Sequence, residues 1–193
     1  MKYEIIQPPF TLRFRTMSRE EANDYFDWFM EQIPLRIKIL EEAVQSTVGY
    51  EDWRADYTPE SLERLGQWFY EHVETRKRTE REKETIYSRA PEWFRGVEIE
   101  DWELTDRTFS LAMDIGMYLS RVLQKNLPGL RWEMVTKPKN DADFQQPVLA
   151  GTGRLVLNPI WVLVTYAYGV ARHSKGPERL REIYDIWANL LVG

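Results

Sequence analysis

A chain of 193 residues, 43% hydrophobic and 30% charged, is long enough to bury a substantial core and too apolar for wholesale disorder. Its formal net charge of -5 weighs against broad nucleic-acid binding, which draws most of its affinity from phosphate neutralisation by Lys and Arg. No cysteine is present, so no disulfide can form, and no phosphate loop or metal signature occurs.

Residues 2–6 and 10–15 alternate apolar and polar side chains on either side of Pro8-Pro9, predicting a short strand and its partner but no continuous central strand. The first six residues, Met1 to Ile6, lack the apolar stretch of a secretory signal, which points to a cytoplasmic protein. Ser18 and Glu21 form a capping box ahead of a stripe of Ala22, Tyr25, Phe26, Phe29 and Ile33. The stripe continues through Ile37, Leu40 and Val44 despite Pro34, predicting a kink or two helices. Thr58-Pro59 signals the next helix, with Leu62, Leu65, Phe69 and Val73 on one side and His72 beside them.

From Glu74 to Glu84 five cations face four acids. Pairs such as Glu74 with Arg78 and Arg78 with Glu82 predict a solvated extension of that helix. Residues 91–105 read as irregular, and Thr105 or Asp106 caps a long helix reaching about Asn126. Phe109, Leu111, Ala112, Met113, Ile115, Gly116, Leu119, Val122 and Leu123 cover most of its circumference, marking it as the central buried helix. Pro128-Gly129 ends it. Residues 130–135 alternate as a strand, 137–146 form a polar loop, and 148–150 with 154–157 flank Gly151-Thr152-Gly153 as a hairpin. Residues 155–171 carry no charge over 17 positions, the short edge of a membrane span. Asn158-Pro159 divides that run into a strand and a capped helix of about 159–172, so no membrane span is expected. A last helix follows Gly176-Pro177 at about 178–191. The expected fold is one α+β domain over residues 1–193, mainly helical, with helices packed on a small antiparallel sheet.

The chemical motifs are thin. Gly151-Thr152-Gly153 lacks the third glycine of a dinucleotide fingerprint and the Gly-Lys ending of a phosphate loop. Asn140-Asp141-Ala142-Asp143 lacks the glycine and distal glutamate of a calcium hand. His72 and His173 have no serine or cysteine nucleophile motif nearby. Adjacent acids at Glu20-Glu21 and Glu41-Glu42 diverge by about 100° on a helix and do not converge as pairs.

Asp114 stands out, because an ionised carboxylate on a buried helix needs a partner. Tyr118, one turn later, is a ready donor. Glu133 lies on the strand face opposite Trp132, turned to solvent or toward a cleft with Asp114. The chain also holds eight tryptophans, and Trp28, Trp53, Trp93 and Trp102 each directly follow an acid. Trp28 and Trp68 sit about 100° around their helices from Phe29 and Phe69. They flank the core, either under a neighbouring helix or as exposed anchors for a partner.

The stretches Asp114 to Leu119, Leu130 to Glu133 and Gln146 to Leu149 resemble a small group of uncharacterised bacterial domains. There an Asp/Gly/Tyr-bearing helix precedes a Trp-containing strand. The resemblance covers residues 106–172 and departs from the group's pattern at Ser120-Arg121, where Gly-Glu is common. It implies a fold neighbourhood and no activity.

The leading expectation is a non-enzymatic cytosolic binding protein without a cofactor, an inhibitor or immunity-type partner of a basic protein. Its candidate cleft or contact residues are Asp114, Tyr118, Trp132, Glu133, Trp28 and Trp68. A second reading is a small-ligand or metal-assisted hydrolytic site using Asp114 and Glu133, with Asp141 or Asp143 as metal ligands. A third is a structural subunit or homo-oligomer.

Overall fold

The computed structural model describes residues 3–90 and 98–192. The first helix, α1 (Arg19–Gln45), begins where Ser18 Oγ accepts the Glu21 N–H and the Glu21 carboxylate accepts the Ser18 N–H. This reciprocal cap satisfies two otherwise unpaired donors. Its buried stripe includes Tyr25, Phe29, Ile33, Ile37, Leu40 and Val44. The helix passes Pro34 without a break, so of the kink or two helices expected there, the division into two does not occur. Ile33 and Ile37 are both buried beside the proline, and continuous burial on either side offsets the roughly 3 kcal/mol that an interior proline costs.

Helix α2 (Ser61–His72) starts after a turn in which Thr58 Oγ1 accepts the Ser61 N–H. The charged run that follows is not the helical extension its pairing pattern predicts. Residues Thr75–Lys77 form strand β1, and a second capping box, Thr79 with Glu82, opens α3 (Glu80–Arg89). Strand β1 pairs antiparallel with β2 (Trp102–Leu104), Arg76 opposite Glu103. The charges accordingly find other partners: Glu74 bridges Arg107, Arg76 bridges Glu82 and Arg78 bridges Glu103. Part of the stretch read as irregular, residues 91–97 with its Glu92-Trp93 pair, lies outside the described residues.

Helix α4 (Asp106–Asn126) is the centre of the molecule. It touches α1, α2, α5 (Pro159–Ala171) and α6 (Arg179–Val192), and its burial on nearly every side matches the apolar circumference read in the sequence. Close packing depends on glycine at several contacts, Gly116 and Gly66 among them. A Cβ on Gly116 would lie 3.0 Å from the Pro159 carbonyl oxygen, and one on Gly66 would collide with the carbonyl of Pro177. The second sheet is β3 (Arg131–Met134), β4 (Pro147–Ala150) and β5 (Val156–Leu157), antiparallel in that order, with Glu133 opposite Val148.

Residues 3–6 and 10–15 form no strand. The Ile6 N–H donates instead to Ser110 Oγ on α4, so this extended segment is fastened to a helix by side-chain bonds. Asn158 and Pro159 cap α5 as expected, the Asn158 side chain accepting the Trp161 N–H. No helix among the described residues is long and apolar enough to cross a membrane. The architecture is mainly helical α+β, with two small antiparallel sheets.

Candidate functional site

Asp114 has no exposed surface, and its partner is not Tyr118. Arg36 Nε and Nη2 each lie 2.8 Å from the two Asp114 carboxylate oxygens, and the Tyr3 hydroxyl donates to Oδ2 at 2.5 Å. Arg36 Nη2 also donates to the carbonyl oxygen of Glu4 at 2.8 Å. Three elements distant in sequence, residues 3–6, α1 and α4, are thereby joined around one buried ion pair. Burial pushes the Asp114 carboxyl up, to about 6, against the opposing pull of Arg36 and Tyr3. Burial also works against the Arg36 cation, yet its bonds to Asp114 and Tyr3 hold it above its usual value. A bidentate guanidinium is the partner that offsets the burial of such a carboxylate.

Tyr118 serves another junction. Its hydroxyl accepts the Tyr57 N–H at 3.1 Å and shares a hydrogen bond with Ser61 at 2.7 Å, and burial pushes it up to about 12. Glu133 pairs with its strand neighbour Arg131 at 2.5 Å. Asp114 and Glu133 therefore have no partner in common. Trp132 packs edge-on to Phe29 with ring centroids 5.2 Å apart, and its Nε1 is buried without a hydrogen-bond partner among the described residues. Asp141 accepts the Asp143 N–H, while Asp143 accepts from Asn158 Nδ2. No group of three His, Asp or Glu side chains among the described residues is placed to hold a metal ion.

The two indoles part company. Trp68 is 1% exposed, stacks on His72 and donates from Nε1 to Thr47. Trp28 is half-buried between Phe10 and Tyr25. It borders an open cleft of about 640 Å³ that residues 3–7, Gln32 and Arg36 also line. Arg36 is only 3% exposed, and its Nη1 has no hydrogen-bond partner among the described residues. The guanidinium thus commits Nε and Nη2 to the buried junction, which leaves the donors of Nη1 uncommitted among the described residues.

Beside this cleft runs a feature that adjacent-residue reading missed. Glu20, Asp24, Asp27 and Glu31, spaced four, three and four residues apart, share one exposed face of α1. The ion pairs of α1 among the described residues are Arg36 with Asp114 and Lys38 with Glu42, so these four acids have no ion-pair partner among the described residues. Glu20 faces the positive end of the helix dipole, but Asp27 and Glu31 lie beyond the first turn, where that compensation has faded. Like charges at these spacings each cost the helix about 0.2–0.5 kcal/mol. The signal was available in the i, i+4, i+7, i+11 spacing. No protein-family model, curated protein or solved structure matches the chain.

Proposed function

We propose that this chain is a non-enzymatic cytosolic binding protein, of the inhibitor or immunity type, that docks a basic protein against the acidic face of α1. The observation that carries this reading is the row of four carboxylates, Glu20, Asp24, Asp27 and Glu31, without an ion-pair partner among the described residues. A row that weakens its own helix is accounted for when a partner supplies the missing cations.

The neighbouring groups suit the same partner. Trp28 offers an indole face to an arriving Arg or Lys, an interaction of about 0.5–2 kcal/mol depending on desolvation. Arg36 lines the cleft beside it, and its Nη1 has no acceptor among the described residues. Close to so many carboxylates, a neutral main-chain carbonyl suits that nitrogen better than an anion. Complementary charge would set association rate and specificity more than raw affinity.

The test is a low-salt pull-down with the native chain and with the variant Glu20→Lys/Asp24→Lys/Asp27→Lys/Glu31→Lys. The native chain is expected to retain a basic protein reproducibly and release it as salt rises. The variant, with native helicity by circular dichroism, should lose it at least a hundredfold. A variant that keeps the same partner, or a native chain that recovers none, would refute the proposal.

A further inference from the structure

A second feature lies on other helices and carries different chemistry. Between α5 and α6 runs a groove of about 290 Å³ whose lining includes Trp161, Tyr166, Ile186 and Trp187. Trp161 is 59% exposed and Ile186 43% exposed, so a large indole and an aliphatic chain are left open rather than folded into the core. The charged residues lining it are Lys175 and Arg179, with no carboxylate among the lining residues.

Lys175 is held in place by local backbone chemistry. His173 adopts a left-handed conformation, φ 55°, which turns the chain back over the end of α5. The N–H groups of Ser174 and Lys175 and the Ser174 hydroxyl all donate to the Gly169 carbonyl, at 2.9, 3.2 and 3.0 Å. The stem of Lys175 lies flat on Gly169, where an added Cβ would come within 2.5 Å of Lys175 Cγ. Glycine at 169 is what lets the stem lie there. Arg179 is already paired with Glu182 at 2.9 Å, whereas Lys175 has no ion-pair partner among the described residues.

We infer that the α5–α6 groove is a binding site for a small apolar monocarboxylate, its body between Trp161 and Trp187 and its carboxylate on Lys175. The size selects a small molecule over a protein element, since the volume sits at the lower edge of ligand pockets, roughly 300 Å³. The charge selects a monoanion. A lone ammonium is a point charge, without the fork that a free arginine offers to phosphate. A chain of net charge -5 has no general attraction for anions, so affinity should hang on this one cation. The site shares no residue with the acidic face of α1, and either proposal can fail without the other.

Decanoate, with decanol as its uncharged counterpart, is the probe, followed by titration calorimetry and tryptophan fluorescence on the full chain. Decanoate should bind at least tenfold more tightly than decanol and perturb the emission. Lys175→Met should erase that preference by weakening decanoate at least tenfold while leaving decanol unchanged. Trp161→Ala should weaken both. Gly169→Ala, which pushes the lysine stem aside, should weaken decanoate alone. Equal binding of the two probes, full decanoate affinity in Lys175→Met, or light scattering that shows a dimer unable to take up decanoate would overturn the inference. Circular dichroism of each variant confirms that the fold is intact.

Discussion

Arg36 and Asp114 sit 78 residues apart in the chain and 2.8 Å apart in the fold. Such a pair adds little net stability against an apolar replacement of both partners, but removing one leaves a buried charge unmatched. Arg36→Met is therefore expected to cost about 3–5 kcal/mol in urea unfolding. The sign of its pH dependence follows from Asp114, whose folded-state pKa is raised from 3.8 to about 6. A raised pKa means a favourable contribution that is complete below the unfolded value and lost as pH rises through the folded one. Without Arg36 the folded value climbs further, so the loss continues to higher pH. The deficit of Arg36→Met relative to the native chain should grow between pH 5 and pH 8; a deficit independent of pH would count against the buried pair. Tyr118→Phe makes a smaller demand. It leaves the Tyr57 N–H without its acceptor, and thermal unfolding should register about 1–2 kcal/mol.

Secondary structure separates into elements whose determinants are local and elements whose determinants are distant. The capping box at Ser18 and the Asn158-Pro159 start of α5 are satisfied within a few residues, which is why sequence spacing exposes such caps. The run from Glu74 to Glu84 is different. Its helical pairings are worth only a few tenths of a kcal/mol each, less than the ladder that Thr75–Lys77 makes with Trp102–Leu104, a strand that follows α3 in the chain. Helix contacts show the same dependence. Gly66 packs against the backbone of Pro177 ahead of α6, and a carbonyl cannot move aside as a flexible side chain can. Gly66→Ala should lower the urea midpoint, overpacking of about 1–3 kcal/mol outweighing alanine's better helix propensity.

At the scale of the whole molecule, one hydrophobic cluster runs through α1, α2, α4, α5 and α6 and onto the three-stranded sheet. With the core so provided for, the acidic face of α1 and the open groove between α5 and α6 are surface features that folding does not explain. Neutralising the four acids as Glu20→Gln, Asp24→Asn, Asp27→Asn and Glu31→Gln would take the formal charge from -5 to -1, a change of four. If that face steers a basic partner, native association should slow at least tenfold between 50 and 500 mM salt, by order of magnitude, with dissociation little changed. The neutralised variant should show a nearly flat salt profile by surface plasmon resonance.

By itself the sequence determined the helical periodicity, the caps at Ser18, Thr105 and Asn158, the buried character of residues 106–126 and the hairpin around Gly151, because each depends on neighbours within a turn or two. Only the tertiary structure decided that Asp114 belongs to Arg36 and Tyr3, that Tyr118 braces a loop, that Trp68 enters the core while Trp28 borders a cleft, and that Lys175 stands over an apolar groove. A buried charge takes whichever partner the packing brings within reach, and packing joins segments far apart in the chain. The spacing of residues along the backbone carries no record of that choice.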